Sequence, residues 1–365
     1  MRIVMLAFSN IEYTIELTEA LSELEDVILM LPDKQAKRFD DVINPNVNLS
    51  TFAYSRIRNP KNILMVYELV RNIGEFKPDI IHIQNGHPWF NLSLPFLRQY
   101  CIIRTVHDVI LHTGDKESRT IPKFTDKLAV KYADQIIVHG EELKREMMRE
   151  YSKRADEINV LCRGINSIYR RYMEEKIEEE DQTVLFFGRI WEYKGLIYLI
   201  EAEPRITKEI QNLKIIIAGR GEDVNKLYGD KMINKDKYII HNSHIPNKMV
   251  AELFQKASVV VLPYTDASQS GVVPLAYAFG KPVVVTNVGS LPEVVEDGET
   301  GYIVPPRDTK KLGDAIIDLL KDKEKRKRMG QKAYKKGEEG LSWGQIALKT
   351  MEVYKKAISL RDINK

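Results

Sequence analysis

Short apolar runs alternate along the first half of the chain with longer segments whose apolar residues recur every three or four positions. This alternation is typical of βαβ units, so we expect a parallel sheet covered by helices. The predicted strands are Ile3–Ala7, Val27–Leu31, Ile80–Ile83, Ile102–Val106 and Ile136–Val138, and the predicted helices cover Ile15–Leu24, Ile63–Ile73 and Phe124–Tyr132.

The second half of the chain repeats this pattern and predicts a second parallel sheet. Its predicted strands are Val184–Phe187, Leu213–Ala218, Tyr238–His241, Val259–Leu262, Val283–Thr286 and Tyr302–Val304. A chain of 365 residues fits two α/β domains better than one. The polar stretch Met173–Gln182 separates the two series of strands, so we place the change of domain between 163 and 182. A last helix is predicted over Trp343–Leu360, with an apolar stripe that should pack against another element.

The charge composition narrows the range of partners. The 55 Lys and Arg residues nearly balance the 52 Asp and Glu residues, and the net charge is +3, so nothing indicates nucleic acid as a partner. The basic run Lys321–Lys336 is interpreted as the solvent-facing side of a late helix, with a polyanion-binding patch as the alternative. Abundant Lys and Glu are a compositional sign of a thermophilic source.

The cysteines and the apolar runs indicate the cellular location of the protein. Cys101 and Cys162 both lie in strand-like apolar runs, and we predict that they are reduced core thiols. The run Ile3–Phe8 is too short for a signal-peptide core, and no apolar run approaches the roughly 18 residues of a membrane-spanning helix. We therefore expect a cytoplasmic protein without a transmembrane segment. Peripheral contact with the inner face of the membrane is left open.

Two cations follow the predicted strand Val184–Phe187. Gly188 ends the strand, Arg189 comes next, and Lys194 stands just before the next helical pattern. Ligands of parallel sheets bind at the carboxyl ends of the strands. Arginine offers a planar fork for phosphate oxygens and lysine a mobile point charge, so this pair is a candidate diphosphate site. The alternative is two solvated loop cations on an ordinary βα connection.

A polar loop after the predicted strand Val259–Leu262 is the second candidate. It leads into a predicted helix that begins near Ser270 and stops at Gly280. Hydroxyls and backbone amides at such a place can bind phosphate or sugar oxygens, although an ordinary N-capped helix explains the pattern equally well. The candidate substrate-binding residues of this loop are Ser268, Gln269, Ser270, Gly271 and Val272.

The spacing of the glycines does not match the motif of a dinucleotide-binding fold. The first βα turn, 7–12, contains no glycine for a close phosphate cradle. Gly219 and Gly221 follow a strand, but the third glycine of the dinucleotide motif would fall at position 224, which is Val. The pair therefore predicts a tight turn that borders a ligand rather than an NAD site.

The order of these motifs resembles the retaining glycosyltransferases of the family 4 type. The matching motifs are Phe-Gly-Arg-x4-Lys-Gly from Phe187, Ile-Ala-Gly-x-Gly from Ile217, and Gly-Lys-Pro-Val-Val-Val-Thr from Gly280 onward to Leu-Pro-Glu at 291–293. The N-terminal half resembles the family more loosely, through Thr105-Val106-His107-Asp108 and the run 160–166.

The resemblance implies an α/β fold of two Rossmann-like domains that face a cleft, called GT-B. Residues 1–164 would form the acceptor domain and residues 165–342 the nucleotide-sugar donor domain. The last helix, within 343–365, would cross back to the first domain.

The resemblance also implies the reaction. A sugar would pass from a nucleotide-diphosphate sugar to a hydroxyl of a glycan or lipid-linked acceptor, with retention of the anomeric configuration. Arg189 and Lys194 would stabilise the departing diphosphate, and His107, with Asp108 beside it, would contact the donor sugar. Since the sequence has no Asp-x-Asp pair, neither a metal nor another cofactor is expected.

Departures from the family leave alternatives. Ala267 and Leu275 stand where two glutamates are common, and neither side chain accepts a hydrogen bond. Glu293 is the candidate acid near the nucleotide, and capping of a short helix over 292–296 is its competing role. A nucleotide-sugar binding protein without transfer activity, and a nucleotide-sugar epimerase, are the alternative functions. The base, the sugar, the acceptor and the oligomeric state are not determined by the sequence.

Overall fold

The structure is a computed structural model that describes residues 1–110 and 122–363. The described chain separates into two compact units. The first unit contains Met1–Ile110, 122–164 and 342–363, and the second unit contains Ile165–Leu341.

The first unit is built on a parallel sheet with helices. Its strands are buried on both faces at the centre of the sheet, where Ile3, Val4, Met5 and Leu6 have no solvent exposure. Within the described residues the sheet has seven strands in the order β3-β2-β1-β4-β5-β6-β7. They are β1 (Arg2–Leu6), β2 (Asp26–Pro32), β3 (Asn48–Phe52), β4 (Ile80–Ile83), β5 (Cys101–Val106), β6 (Gln135–Val138) and β7 (Ile158–Val160). The helices that precede the second unit are α1 (Ile11–Ser22), α2 (Asp33–Ala36), α3 (Asn62–Phe76), α4 (Pro88–Ser93), α5 (Lys123–Tyr132) and α6 (Glu141–Tyr151).

Two strands of this sheet were not predicted. β3 and β7 are its two edges, and most of the residues of β3 are exposed or half-buried. An edge strand has one neighbour and less burial, so its sequence lacks the continuous apolar run that marked the other five strands.

The second unit has its own parallel sheet, and all of its strands were predicted. The part of the chain that the structure describes gives it six strands in the order β10-β9-β8-β11-β12-β13. They are β8 (Thr183–Phe187), β9 (Lys214–Ala218), β10 (Tyr238–His241), β11 (Val259–Leu262), β12 (Val283–Thr286) and β13 (Gly301–Val304). The helices are α7 (Leu196–Glu209), α8 (Val224–Tyr228), α9 (Asn247–Lys256), α10 (Val272–Ala278), α11 (Leu291–Val294), α12 (Thr309–Lys321) and α13 (Lys323–Gly340).

The last helix, α14 (Trp343–Ile363), returns to the first unit, as predicted. The predicted apolar stripe consists of Ile346, Met351, Tyr354 and Ile358. The first three are buried and Ile358 is half-buried, and the helix packs against α1. The Tyr354 hydroxyl lies 2.6 Å from Nδ1 of His82 in the sheet. No helix within residues 1–110 and 122–363 has both the length and the apolar character needed to cross a membrane.

One cysteine prediction was wrong. Cys101 is buried in β5, and burial raises the pKa of its thiol to about 12. Cys162 is exposed, because β7 ends at Val160 and the chain leaves the sheet before the cysteine is reached.

The basic run Lys321–Lys336 is not a uniformly solvated face, which corrects the prediction made from its composition. Arg326, on α13, is only 2% exposed. Its Nη2 donates to Glu179 at 2.8 Å and to Asp181 at 2.6 Å, and its Nη1 donates to the Leu319 carbonyl at 3.0 Å. The guanidinium therefore ties the segment before β8 to α13 and to the end of α12.

Arg326→Met should destabilise the second unit. The substitution keeps the aliphatic stem but removes the donor to the Leu319 carbonyl and the two donors to Glu179 Oε1, while Glu179 keeps its longer contact with Lys281 Nζ at 3.4 Å. We expect a loss of roughly 2–3 kcal/mol, less than for a fully buried pair because Asp181 is half exposed. Urea unfolding would measure the loss. Lys327→Met, on the exposed side of the same helix, is the control and should change stability by less than about 0.5 kcal/mol. Equal effects of the two variants would contradict the assignment.

Candidate active site

The carboxyl ends of β8 and β9 continue into two turns that stay paired. The Gly188 amide donates to the Ala218 carbonyl at 3.0 Å, and the Ile190 amide donates to the Arg220 carbonyl at 2.8 Å. Ile190 then forms a parallel bridge with Gly221. These bonds hold the backbone on both sides of Arg189 in a defined position at the sheet edge.

Gly219 and Gly221 allow this close approach. Gly219 has a φ of 155°, and a Cβ placed on it would lie 1.7 Å from the Gly188 carbonyl oxygen. A Cβ on Gly221 would lie 2.3 Å from the Ile190 carbonyl oxygen. Only glycine fits such contacts with backbone atoms. The tight turn is therefore present, and contact of these glycines with a ligand stays a prediction.

Gly219→Ala should disrupt the paired turns at the carboxyl ends of β8 and β9. The methyl group would meet a backbone oxygen that no rotamer change can move, and the φ of 155° is unfavourable for alanine. We expect a loss of about 3 kcal/mol or more in the free energy of unfolding, measured in urea. Gly340→Ala is the matched control in the same unit, since nothing lies within 4 Å of its Cβ position. The explanation fails if the two variants unfold at the same urea concentration.

Arg189 and Lys194 both contact Tyr193, and Lys194 also contacts Tyr264. Arg189 Nη2 donates to the Tyr193 hydroxyl at 3.3 Å. Lys194 Nζ lies 4.9 Å from the centre of the Tyr193 ring and 3.8 Å from the centre of the Tyr264 ring. We name these four residues the cation cluster. The structure thus brings the two predicted cations together at the carboxyl edge of the sheet, where β8 and β11 are neighbours.

Tyr264 does not neutralise the cations. Burial raises the pKa of Tyr264 to about 12, although a hydrogen bond to Ser270 and the positive charge of Arg189 act in the opposite direction. A phenol with this pKa stays uncharged at neutral pH. It presents its ring face to Lys194, a favourable cation–π contact. Tyr264 therefore adds no negative charge to the cation cluster.

The second predicted loop adjoins the first. The Thr265 amide donates to the Tyr193 carbonyl at 2.8 Å, and a Cβ on Gly188 would lie 3.7 Å from Val272 Cγ2. The Ser270 hydroxyl accepts from the Val272 amide at 3.2 Å and lies 3.3 Å from the Tyr264 hydroxyl. Ser270 therefore organises the turn before α10, and binding of a ligand by its hydroxyl stays a prediction.

The other candidate residues of the loop differ in exposure. Ser268 is buried, and its carbonyl accepts from the Ser290 amide at 3.1 Å. Gln269 and Gly271 are half-buried. The amide oxygen of Gln269 is buried and has no hydrogen-bond partner among the described residues. It is therefore a hydrogen-bond acceptor that the folded unit leaves unused.

The positions of the two missing glutamates are apolar core. Ala267 and Leu275 are both buried. Glu293 is exposed in the first turn of α11, which ends at Val294 and is shorter than predicted. The Glu293 amide donates to the Ser290 carbonyl at 3.2 Å. Its proposed contact with the nucleotide stays a prediction.

His107 follows β5 in the first unit and is almost fully buried, at 3% exposure. Its Nε2 lies 3.1 Å from Gln84 Oε1, and its Nδ1 lies 3.3 Å from Arg163 Nη1. The pKa of His107 is well below its usual value, chiefly because of burial and then because of charge interactions with His139 and Arg163. Asp108, the other residue predicted here, is exposed.

Sequence reasoning missed Gln84 and Arg163. Gln84 directly follows β4, so it lies at the same sheet edge as His107, and that position was the available signal. Arg163 lies in the run 160–166 that carries part of the family resemblance. Within the described ranges there is no group of three or more His, Cys, Asp or Glu side chains placed to hold a metal ion.

Two family models match the chain, one for each half. The model described as Glycosyltransferase Family 4 matches residues 12–167, and the model described as Glycosyl transferases group 1 matches residues 171–336. With the two parallel sheets, these matches define the class of protein as a GT-B glycosyltransferase. The chain belongs to the glycosyltransferases of the family 4 type, and the predicted family, fold class and transferase activity are confirmed.

Relatives cover most of the chain. It is 27% identical over 322 residues to an uncharacterized glycosyltransferase of Methanocaldococcus jannaschii, covering 82% of this chain and 81% of the relative. It is 25% identical over 342 residues to a D-inositol 3-phosphate glycosyltransferase of Paenarthrobacter aurescens, covering 85% and 83%. The crystal structure of Anabaena HepE in complex with UDP-glucose matches with a TM-score of 0.72 at 16% identity, covering 98% of this chain and 100% of that one. This last likeness shows the fold.

Proposed function

We propose that the chain is a retaining, metal-independent glycosyltransferase that moves a sugar from a nucleotide-diphosphate sugar to a hydroxyl of a glycan or lipid-linked acceptor. The second unit binds the donor and the first unit binds the acceptor. The observation that carries this proposal is the cation cluster, in which Arg189 and Lys194 both contact Tyr193 and Lys194 also lies over the uncharged ring of Tyr264.

The chemistry of the leaving group explains why two fixed cations matter. As the bond between the sugar and the diphosphate breaks, negative charge grows on the phosphate oxygens. A guanidinium binds two such oxygens with parallel hydrogen bonds, and an ammonium adds a compact charge. Both are held before the reaction begins, so they stabilise the transition state without reorganisation. In this proposal they take the part that a divalent metal ion has in other transferases.

The contacts to the donor hydroxyls need a new assignment. Ala267 and Leu275 are buried and carry no acceptor, so they cannot bind a sugar or ribose hydroxyl. The unused amide oxygen of Gln269 lies in the same loop. We propose that Gln269 accepts a hydrogen bond from a hydroxyl of the nucleotide-sugar substrate. The proposed contact of His107 with the transferred sugar rests on the family resemblance.

A donor panel tests the proposed function. UDP-glucose is the first donor to try, since the Anabaena protein of similar fold was crystallised with it. Thermal shifts with UDP, GDP and ADP identify the base, because a ligand at about 100 times its Kd stabilises the native protein by roughly 2.7 kcal/mol. Proton NMR of the product then gives the anomeric configuration. Tight nucleotide binding with neither transfer nor donor hydrolysis would favour the alternative, a nucleotide-sugar binding protein.

Removal of divalent metal ions should leave the transfer rate unchanged. In this proposal Arg189 and Lys194, rather than a metal ion, stabilise the negative charge of the leaving diphosphate. The values of kcat and KM in excess EDTA should therefore lie within about twofold of their values in Mg²⁺. The rates would be compared after dialysis against EDTA, with Mn²⁺ and Mg²⁺ added back as controls. A loss of activity that either metal restores would reject the metal-independent mechanism.

A further inference from the structure

A row of buried polar side chains runs through the first unit and ends at His107. The Tyr354 hydroxyl lies 2.6 Å from His82 Nδ1, His82 Nε2 lies 3.2 Å from Gln84 Nε2, and Gln84 Oε1 lies 3.1 Å from His107 Nε2. Arg163 Nη1 completes the row, 3.3 Å from His107 Nδ1. Tyr354, His82, Gln84 and His107 are all at least 97% buried.

Arg163 decides the direction of the hydrogen bonds in this row. A guanidinium carries only donors, so Nδ1 of a neutral His107 must accept from it. The ring proton then sits on Nε2 and must face an acceptor. Gln84 supplies that acceptor with Oε1, which fixes the orientation of its amide group.

The remaining steps follow from the orientation of Gln84. Its NH₂ group faces His82 Nε2, which therefore accepts, so the His82 proton sits on Nδ1 and is donated to Tyr354. The Thr105 hydroxyl, 2.7 Å from the same Nε2, can rotate to donate to it. If the Gln84 amide were reversed, its NH₂ would face the Nε2–H of His107, leaving two donors in contact. This arrangement therefore gives a partner to both ring nitrogens of His107, to both ring nitrogens of His82 and to both ends of the Gln84 amide.

The charged and titratable groups around His107 oppose its protonation. Arg163 is a cation at its Nδ1, and the rings of His139 and Tyr13 lie 5.0 and 5.5 Å away. Asp108 is an anion close in sequence, but it is exposed, and its charge acts on His139. Protonation of His107 would place an N–H against the Arg163 guanidinium. Burial and these neighbours therefore keep the imidazole neutral.

We propose that Gln84 is a positioning residue that holds His107 as the neutral Nε2–H tautomer, with its ring in one orientation for sugar transfer. This inference rests on the proposed function, since it assigns Gln84 to the reaction through His107. His82 and Tyr354 hold Gln84 in turn, so α14 supports the arrangement through one hydroxyl group. A Gln84 side chain that only filled space would be replaced by methionine without loss.

The test combines imidazole NMR with kinetics on the full chain. In protein labelled with ¹⁵N-histidine, the ring nitrogen shifts of His107, assigned with His107→Gln, should show the neutral Nε2–H tautomer between pH 6 and 8. Gln84→Met removes the acceptor at nearly the same volume. The Nε2–H signal should then be lost to exchange, and kcat should fall roughly 10- to 100-fold with little change in KM. Gln84→Glu keeps an oxygen for the Nε2–H, so it should retain the signal and a higher kcat than Gln84→Met, but below wild type because its carboxylate lacks the donor to His82 and its charge favours protonation of His107.

The controls separate this inference from the proposed function. Gln345→Met, on an exposed glutamine of the same unit, should change neither the NMR signal nor kcat. The inference is overturned if wild-type His107 is an imidazolium or the Nδ1–H tautomer, or if folded Gln84→Met has wild-type kcat. Equal activities of Gln84→Met and Gln84→Glu would also overturn it. If no donor is turned over, the proposed function fails, and the NMR result still decides whether Gln84 holds His107.

Discussion

Replacing Arg189 with alanine is expected to lower kcat/KM for sugar transfer by roughly 10²- to 10³-fold, the usual loss when one fixed charge or donor at a developing anion is removed. Lys194→Ala should have a loss of the same order. Both side chains act on one diphosphate, so the double variant should lose less than the product of the two single effects. Initial rates of nucleotide release with saturating acceptor would measure each loss.

Three further variants make this prediction specific. Arg189→Lys keeps the charge but not the planar fork, so it should recover only part of the activity. Lys208→Ala removes an exposed cation from the last turn of α7 and should leave kcat/KM unchanged. Nucleotide affinity measured in parallel separates binding from catalysis. Wild-type rates in both alanine variants, with the fold intact, would remove the cation cluster from the reaction.

Acidification from pH 7.5 to 5 is expected to destabilise the first unit by about 4 kcal/mol or more. Burial is the main cause that lowers the pKa of His82 to about 3 and that of His139 to about 4. In the unfolded chain both histidines titrate near the ordinary pKa of about 6.5. Between these values the unfolded state binds more protons, so stability is complete above pH 6.5 and is lost as the pH falls. Each of these two histidines therefore lowers the free energy of unfolding by about 2 kcal/mol at pH 5, and His107 lowers it further.

Tryptophan fluorescence can restrict this measurement to one unit. Trp89 and Trp343 belong to the first unit and Trp191 to the second, so a Trp191→Phe background reports urea unfolding of the first unit alone. His139→Asn keeps a donor for the Leu161 carbonyl, which His139 Nδ1 meets at 2.9 Å, and removes one titrating group. The variant should reduce the number of protons taken up on unfolding by about one, and so reduce the slope of stability against pH. His244→Asn, at an exposed histidine, should leave that slope unchanged. A first unit equally stable at pH 5 and 7.5 would contradict the prediction.

These two predictions differ in what the sequence revealed about them. The two cations were recognised from Phe-Gly-Arg-x4-Lys-Gly, because the strand, the glycine and the helix start lie within one short segment. The tyrosines that complete the cation cluster were not. Tyr193 is local, but Tyr264 comes from another strand end, and only the pairing of β8 with β11 brings it to Lys194.

The buried histidines likewise have partners that the sequence did not reveal. His82 lies inside β4 and is fully buried. Its partners come from β5 and from α14, far away in the sequence. The tautomer of His107 depends on Arg163, which follows β7, an edge strand that the apolar pattern did not reveal.

By itself the sequence determined the two parallel sheets, the returning last helix, the family and the two cations, since each depends on residues close together in the chain or on apolar periodicity. The tertiary structure decided that Arg326 is buried, that Cys162 is exposed, and which groups surround Arg189, Lys194 and His107. Burial, hydrogen bonding and charge at a side chain are set by neighbours from other elements. Those neighbours are defined only when strands and helices distant in sequence have packed together.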